Sequence, residues 1–176
     1  MMRGKTKNLA VTALFAALMA AVSPWCIPIG AVPVSLATFM LYLAGGMLGW
    51  KRGMIAAAVY LLLGAVGLPV FAGFAGGMQH LLGVTGGFLW GYLPCAFCVG
   101  IFSHRSRSVL FLAAGMIVGT VLLYVGGMTY FCILTKTDFA AAFAICVLPF
   151  LPGDALKIVG AAFLCDRLRK TAIYSE

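Results

Sequence analysis

Near its C-terminal end the sequence reads LPGDALKIVGAAFLCDRLRK, with Asp154 and Lys157 three residues apart at the head of an otherwise apolar run. On a helix that spacing puts both side chains on one face, where carboxylate and ammonium can pair. Two uses of the pair are open. In the first, Asp154 caps free N–H groups of the first turn, favoured there by the helix dipole, while Lys157 snorkels its stem outward. In the second, the ammonium holds a ligand carboxylate and Asp154 accepts hydrogen bonds from ligand N–H groups, so a small acid bearing N–H donors satisfies both. Ionisable residues inside membrane segments are costly and mark function, which favours the second.

The elements that must position this pair are membrane helices. Of the 176 residues, 64% are hydrophobic and 9% charged, against about a quarter charged in globular proteins. Residues 8–50, 53–103 and 108–135 contain no Lys, Arg, Asp or Glu, and a spanning helix takes about 20 mostly apolar residues. The first two stretches hold two spans each, the third holds one, and residues 139–170 supply a sixth. The expectation is an all-α integral membrane protein, multi-pass in the cell membrane. It is a single domain over 1–176, with residues 1–8 and 171–176 as short cytoplasmic tails. A cleaved signal peptide does not fit a start followed by further spans.

A net charge of +8 could suggest a nucleic-acid partner, but its distribution is a topology signal. With a cytoplasmic N-terminus and six spans, Arg3, Lys5, Lys7, Lys51, Arg52, Arg105, Arg107, Arg167, Arg169 and Lys170 lie inside and Lys136 alone lies in an outer loop. That asymmetry is the positive-inside pattern, and it places both termini in the cytoplasm and the start of the LPGDALK helix outside. No nucleic acid is implied; the surroundings are the lipid bilayer.

Span 1, about Leu9 to Ser23, carries Ala13, Ala17 and Ala21 on one stripe and Ala16 and Ala20 beside it. Small residues let helix backbones approach closely in lipid, either within this chain or against a separate membrane subunit. The segment 24–34 has prolines at 24, 28 and 33 and cannot be a regular helix. Irregular apolar backbone at this depth must be covered by protein, so this outer loop folds onto the bundle. Span 2 runs from Ser35 to Trp50, Lys51 and Arg52 mark its turn, and span 3 leaves from Gly53. The outer loop GLPVFAGFAGGMQHLL then offers aromatic faces in Phe71 and Phe74 and polar groups in Gln79 and His80, Gln79 the better candidate for the pocket. Span 4 covers Thr85 to Phe102 and span 5 Ser108 to Leu134; the last helix starts near Pro152.

Several chemistries are excluded. The glycine-rich loop lacks the GxxxxGK[ST] pattern, so no ATP site is encoded. Cys95 and Cys98 have CxxC spacing but no second pair, and the six cysteines read as packing residues, with no metal site. With two histidines, no GxSxG and no HExxH, an intramembrane enzyme is disfavoured.

Four segments in order, GAVPVSLATFMLYLAGGMLGWKRG, GLPVFAGFAGG, GVTGGFLWGY and PFLPGDALK, resemble the BioY family, the biotin-specific S components of energy-coupling factor transporters. The resemblance covers about residues 9–170. It implies a six-helix protein that binds biotin from outside under its outer loops and associates with a membrane T component and two ATP-binding cassette ATPases, ATP being used only by those partners. Asp154 and Lys157 match the family's acid and base, Lys157 suiting the valerate carboxylate and Asp154 the ureido N–H groups. Phe71, Phe74, Ala75 and Gln79 are the further candidate ligand contacts, Gln79 as a substitute for a polar residue of the loop, and Ala13 and Ala17 resemble the AxxxA docking motif shown to the T component. Val84 stands where relatives often have proline, and the loop at Ala75 lacks a polar residue that some carry. Ligand capture followed by ATP-driven release inward is the expected function, with no cofactor bound by this chain; a stand-alone carrier for biotin or another small carboxylate is the alternative.

Overall fold

The computed structural model describes residues 2–27, 34–106 and 108–174. Helix α1 (Met2–Val22) leads into a two-residue antiparallel ribbon, β1 (Cys26–Ile27) against β2 (Val34–Ser35), with Cys26 opposite Ser35. Then follow α2 (Ala37–Ala65), the short α3 (Met78–Leu82) and α4 (Gly86–Trp90), α5 (Tyr92–Arg105), α6 (Val109–Thr135), α7 (Phe139–Cys146) and α8 (Leu151–Tyr174). Residues 2–8 and 171–174, expected as tails, are the first and last turns of α1 and α8.

The helices follow from the sequence where chain-breaking residues bound them. Asp138 caps α7, its Oδ2 accepting from Ala140 N at 3.1 Å. Lys136 closes α6 in a left-handed conformation. Pro152 sits in the first turn of α8, where a missing N–H costs nothing.

α2 was expected as two spans turning at Lys51–Arg52. The reversal is instead at Gly49, whose φ of 76° only glycine adopts readily, and Lys51 and Arg52 are already helical in the second limb. The two limbs press together as a hairpin: a Cβ on Gly53 would lie 2.9 Å from Gly45 Cα. Expected span 4 is likewise made of α4 and α5 in succession. α7 and α8 meet at a bend of 53° across residues 147–150.

Among the described residues, three helical stretches are long and apolar enough to cross a membrane, Lys5–Val22, Gly86–Arg105 and Val109–Thr135, and the bent α7–α8 pair, taken as one span, makes a fourth. Each limb of the α2 hairpin is shorter than any of these stretches. α2 is the hub, packed on α1, α5 and α8, and α6 closes the bundle against α5, α7 and α8. The core holds Tyr42, Tyr60, Met19, Leu41 and Met116, all fully buried, while Leu110, Ile133, Leu156 and Phe163 point outward, as lipid-facing positions do.

Candidate ligand chamber

Asp154, in the first turn of α8, is 4% exposed. Its Oδ1 lies 2.9 Å from Lys157 Nζ, one turn on, and also accepts from the Thr38 hydroxyl of α2 at 3.5 Å. Its Oδ2 accepts from the phenol of Tyr124 on α6. Lys157 Nζ donates in addition to Thr38 Oγ1 at 3.1 Å. Three helices thus converge on one buried ion pair. The partners of the Asp154 carboxylate are side chains, not first-turn N–H groups, so capping does not describe its role. An ammonium has three N–H bonds, and among the described residues two are taken by Asp154 and Thr38, leaving one to offer.

A second polar link lies deeper. Tyr42 and Thr120 share a hydrogen bond of 2.6 Å, and Thr120 also donates to Met116 O at 2.7 Å. It ties α2 to α6 below Tyr124, satisfying hydroxyls that would be costly to bury alone.

The ion pair closes a narrow hollow of about 50 Å³ whose walls include Ser35, Thr38, Phe88, Tyr92, Tyr124 and Phe150. Through Ser35, Phe88 and Tyr92 it adjoins a wider cavity of about 260 Å³ lined also by Tyr60, Phe71, Ala75 and His80. The wider part is aromatic: Tyr60 stacks on Tyr92 with centroids 6.2 Å apart and meets Phe71 edge-on at 5.7 Å. Tyr60 is fixed by its hydroxyl on Val70 O at 3.2 Å. The two hollows, one polar and one aromatic, share the wall residues Ser35, Phe88 and Tyr92 and are described together as a chamber with two ends.

The loop after α2 walls the aromatic end of this chamber through Phe71, Ala72 and Ala75. Phe71 bridges to Ala75, its N–H donating to Ala75 O at 2.9 Å. The loop is tied to the segment after α1, since Gly73 N donates to Pro24 O at 2.9 Å and Phe74 meets Trp25 edge-on at 5.7 Å. Of the segment 24–34, residues 28–33 lie outside the described residues.

The sequence candidates separate accordingly. Asp154 and Lys157 form the polar end, and Phe71 and Ala75 line the aromatic end. Phe74 does not face the chamber; it is 58% exposed, with a φ of 59°, against Trp25. Gln79 is also exposed, its amide donating to Gly76 O at 2.9 Å, and its neighbour His80 is the one that lines the cavity. Sequence reasoning missed Thr38, Tyr124, Tyr60, Phe88 and Tyr92. On α1, Ala13 and Ala17 are exposed, whereas Thr12, Ala16 and Met19 are buried.

This architecture defines a multi-pass helical membrane protein with a chamber ending in a buried ion pair. The sequence matches the BioY family over residues 1–173. It is 37% identical over 168 residues to the biotin transporter BioY of Thermotoga maritima, covering 95% of this chain and 98% of that one. It is 38% identical to the biotin transporter BioY of Rhizobium etli, covering 90% and 91%. The fold superposes with a TM-score of 0.90 and 28% identity on the crystal structure of an S-component for biotin from an ECF-type ABC transporter, covering 97% of this chain and 94% of that one. The chain belongs to the BioY family.

Proposed function

We propose that this chain is the substrate-binding membrane subunit of a biotin uptake system. It captures biotin outside the membrane and releases it inward when coupled to an ATPase-driven module; it is a transporter component and not an enzyme. The observation that carries the reading is the Asp154–Lys157 pair at the closed end of an aromatic chamber, in a family with relatives named biotin transporters.

The 2.9 Å contact between the two groups supports one orientation of biotin. Side chains in contact suit neighbouring donor and acceptor atoms of one polar group, not the two ends of a molecule. The ureido ring has such atoms: its carbonyl accepts from Lys157 and an N–H donates to Asp154. A neutral group leaves no uncompensated charge beside a pair that is itself neutral, whereas a carboxylate there would face Asp154 across the same hollow. The sulfur-containing ring then packs on Tyr60, Phe71, Phe88 and Tyr92, and the valerate carboxylate points toward the outer mouth.

Titrating the purified protein with biotin, biotin methyl ester and N1′-methylbiotin tests this. Biotin and its ester are expected to bind and the N-methyl compound to fail; the reverse order returns the carboxylate to Lys157, and failure of biotin itself overturns the reading. The coupled system contains a T component and two ATP-binding cassette ATPases, with both termini of this chain on their cytoplasmic side. Uptake by vesicles holding this chain alone, compared with vesicles holding the whole module, separates an ATP-coupled subunit from a stand-alone carrier.

A further inference from the structure

At the end of α8 away from Asp154, an open cavity of about 730 Å³ lies among the Gly49 turn of α2, the end of α5 and the last turns of α8. Its charged wall is Arg52, Arg169 and Lys170 against the single carboxylate of Asp166, with Met47 and Leu48 as an apolar flank. Both arginines are held by neutral oxygens. Arg169 donates to Gly46 O and Ser103 Oγ, and Ser103 donates to Gly46 O at 2.6 Å. Arg52 donates to Asn8 Oδ1 at 2.8 Å. Among the described residues the ion pairs are Lys157–Asp154 and Lys170–Asp166, so each guanidinium is positioned without being neutralised.

We propose that this cavity binds a phosphate group, carried by an anionic phospholipid or by a soluble phosphate. The planar fork of arginine matches phosphate oxygens, and two pre-positioned forks lose little freedom on binding. A basic pocket between transmembrane helices on the cytoplasmic side is the setting in which lipid headgroups are held, and the Met47–Leu48 flank gives the glycerol end an apolar wall. Occupancy joins α2, α5 and α8 at the end opposite the chamber.

The test measures thermal unfolding of the full chain in neutral detergent, titrated with dihexanoyl phosphatidylglycerol, dihexanoylglycerol, which lacks the phosphate, or inorganic phosphate. The phosphatidylglycerol is expected to raise the melting temperature and the diacylglycerol to leave it unmoved. Arg52→Gln and Lys170→Gln should each weaken the response roughly five-fold, the loss expected for one cation, and Asp166→Asn should strengthen it. Biotin affinity should stay unchanged in all three, which keeps this outcome distinct from the biotin reading. A response to inorganic phosphate at equal concentration assigns a soluble ligand, and a response to the lipid alone assigns the headgroup. Equal responses to the two glycerolipids, or an anion response indifferent to Arg52→Gln and Lys170→Gln, overturn the proposal. Should those variants fail to fold, Asp166→Asn decides: an unchanged or weaker response overturns it.

Discussion

Tyr124 on α6 donates its phenolic hydrogen to Oδ2 of Asp154 on α8, so the carboxylate at the polar end of the chamber is tied to a helix other than its own. Without that donor Oδ2 would be buried with one partner fewer. Tyr124→Phe should therefore lower stability by about 1–3 kcal/mol. It should show as a lower melting temperature in detergent and as weaker biotin binding by titration calorimetry.

Removing one member of the ion pair should be worse than removing both. Lys157→Ala leaves Asp154, 4% exposed, as a buried charge with hydroxyl partners alone, at a cost of about 3–5 kcal/mol. Asp154→Asn combined with Lys157→Met should recover much of that stability without recovering biotin binding. Equal melting temperatures for the two proteins would show that the pair is not the desolvated contact its burial implies.

The alanine stripes of α1 divide cleanly by face. Ala13 and Ala17 are exposed, while Ala16 is 1% exposed and packs with Leu48 and Ala56. Ala13→Leu with Ala17→Leu should leave melting and biotin titrations unchanged and abolish co-purification with the T component. Ala16→Leu should destabilise the isolated chain by about 1–3 kcal/mol through overpacking. Retained co-purification in the first variant would refute the proposal that this stripe docks a T component.

Gly64 lies under the ring of Phe71: a Cβ there would come 2.0 Å from Cζ of that ring. Gly64→Ala must displace Phe71, which lines the aromatic end of the chamber. The expected result is a faster biotin off-rate in stopped-flow measurements, with a smaller loss from Gly160→Ala, whose added methyl would meet Phe39 at an ordinary 3.6 Å.

The class of fold was legible because charge and hydropathy act over whole segments, and Asp154 and Lys157 stood out because ionisable groups are scarce in such a chain. What escaped was local. The turn of α2 was assigned to the basic pair, but a reversal needs a backbone conformation, and Gly49 supplies it one residue earlier than Trp50. Tyr124 and Thr38 were missed because a hydroxyl in an apolar run looks like a packing residue; the available signal was that each buried hydroxyl must find a partner. Gln79 and His80 are adjacent on a five-residue helix, where neighbours point apart, and sequence alone does not say which side meets the chamber. Phe71 and Phe74 were equivalent as aromatic faces until the bridge to Ala75 set one inward.

The hydrogen bond from Gly73 to Pro24 fastens the loop that walls the aromatic end of the chamber to the segment after α1. Lifting either must break that bond and part Trp25 from Phe74, or carry the other along. For a ligand entering past this loop, as proposed, that fastening is a barrier to be overcome on the way in and again on the way out.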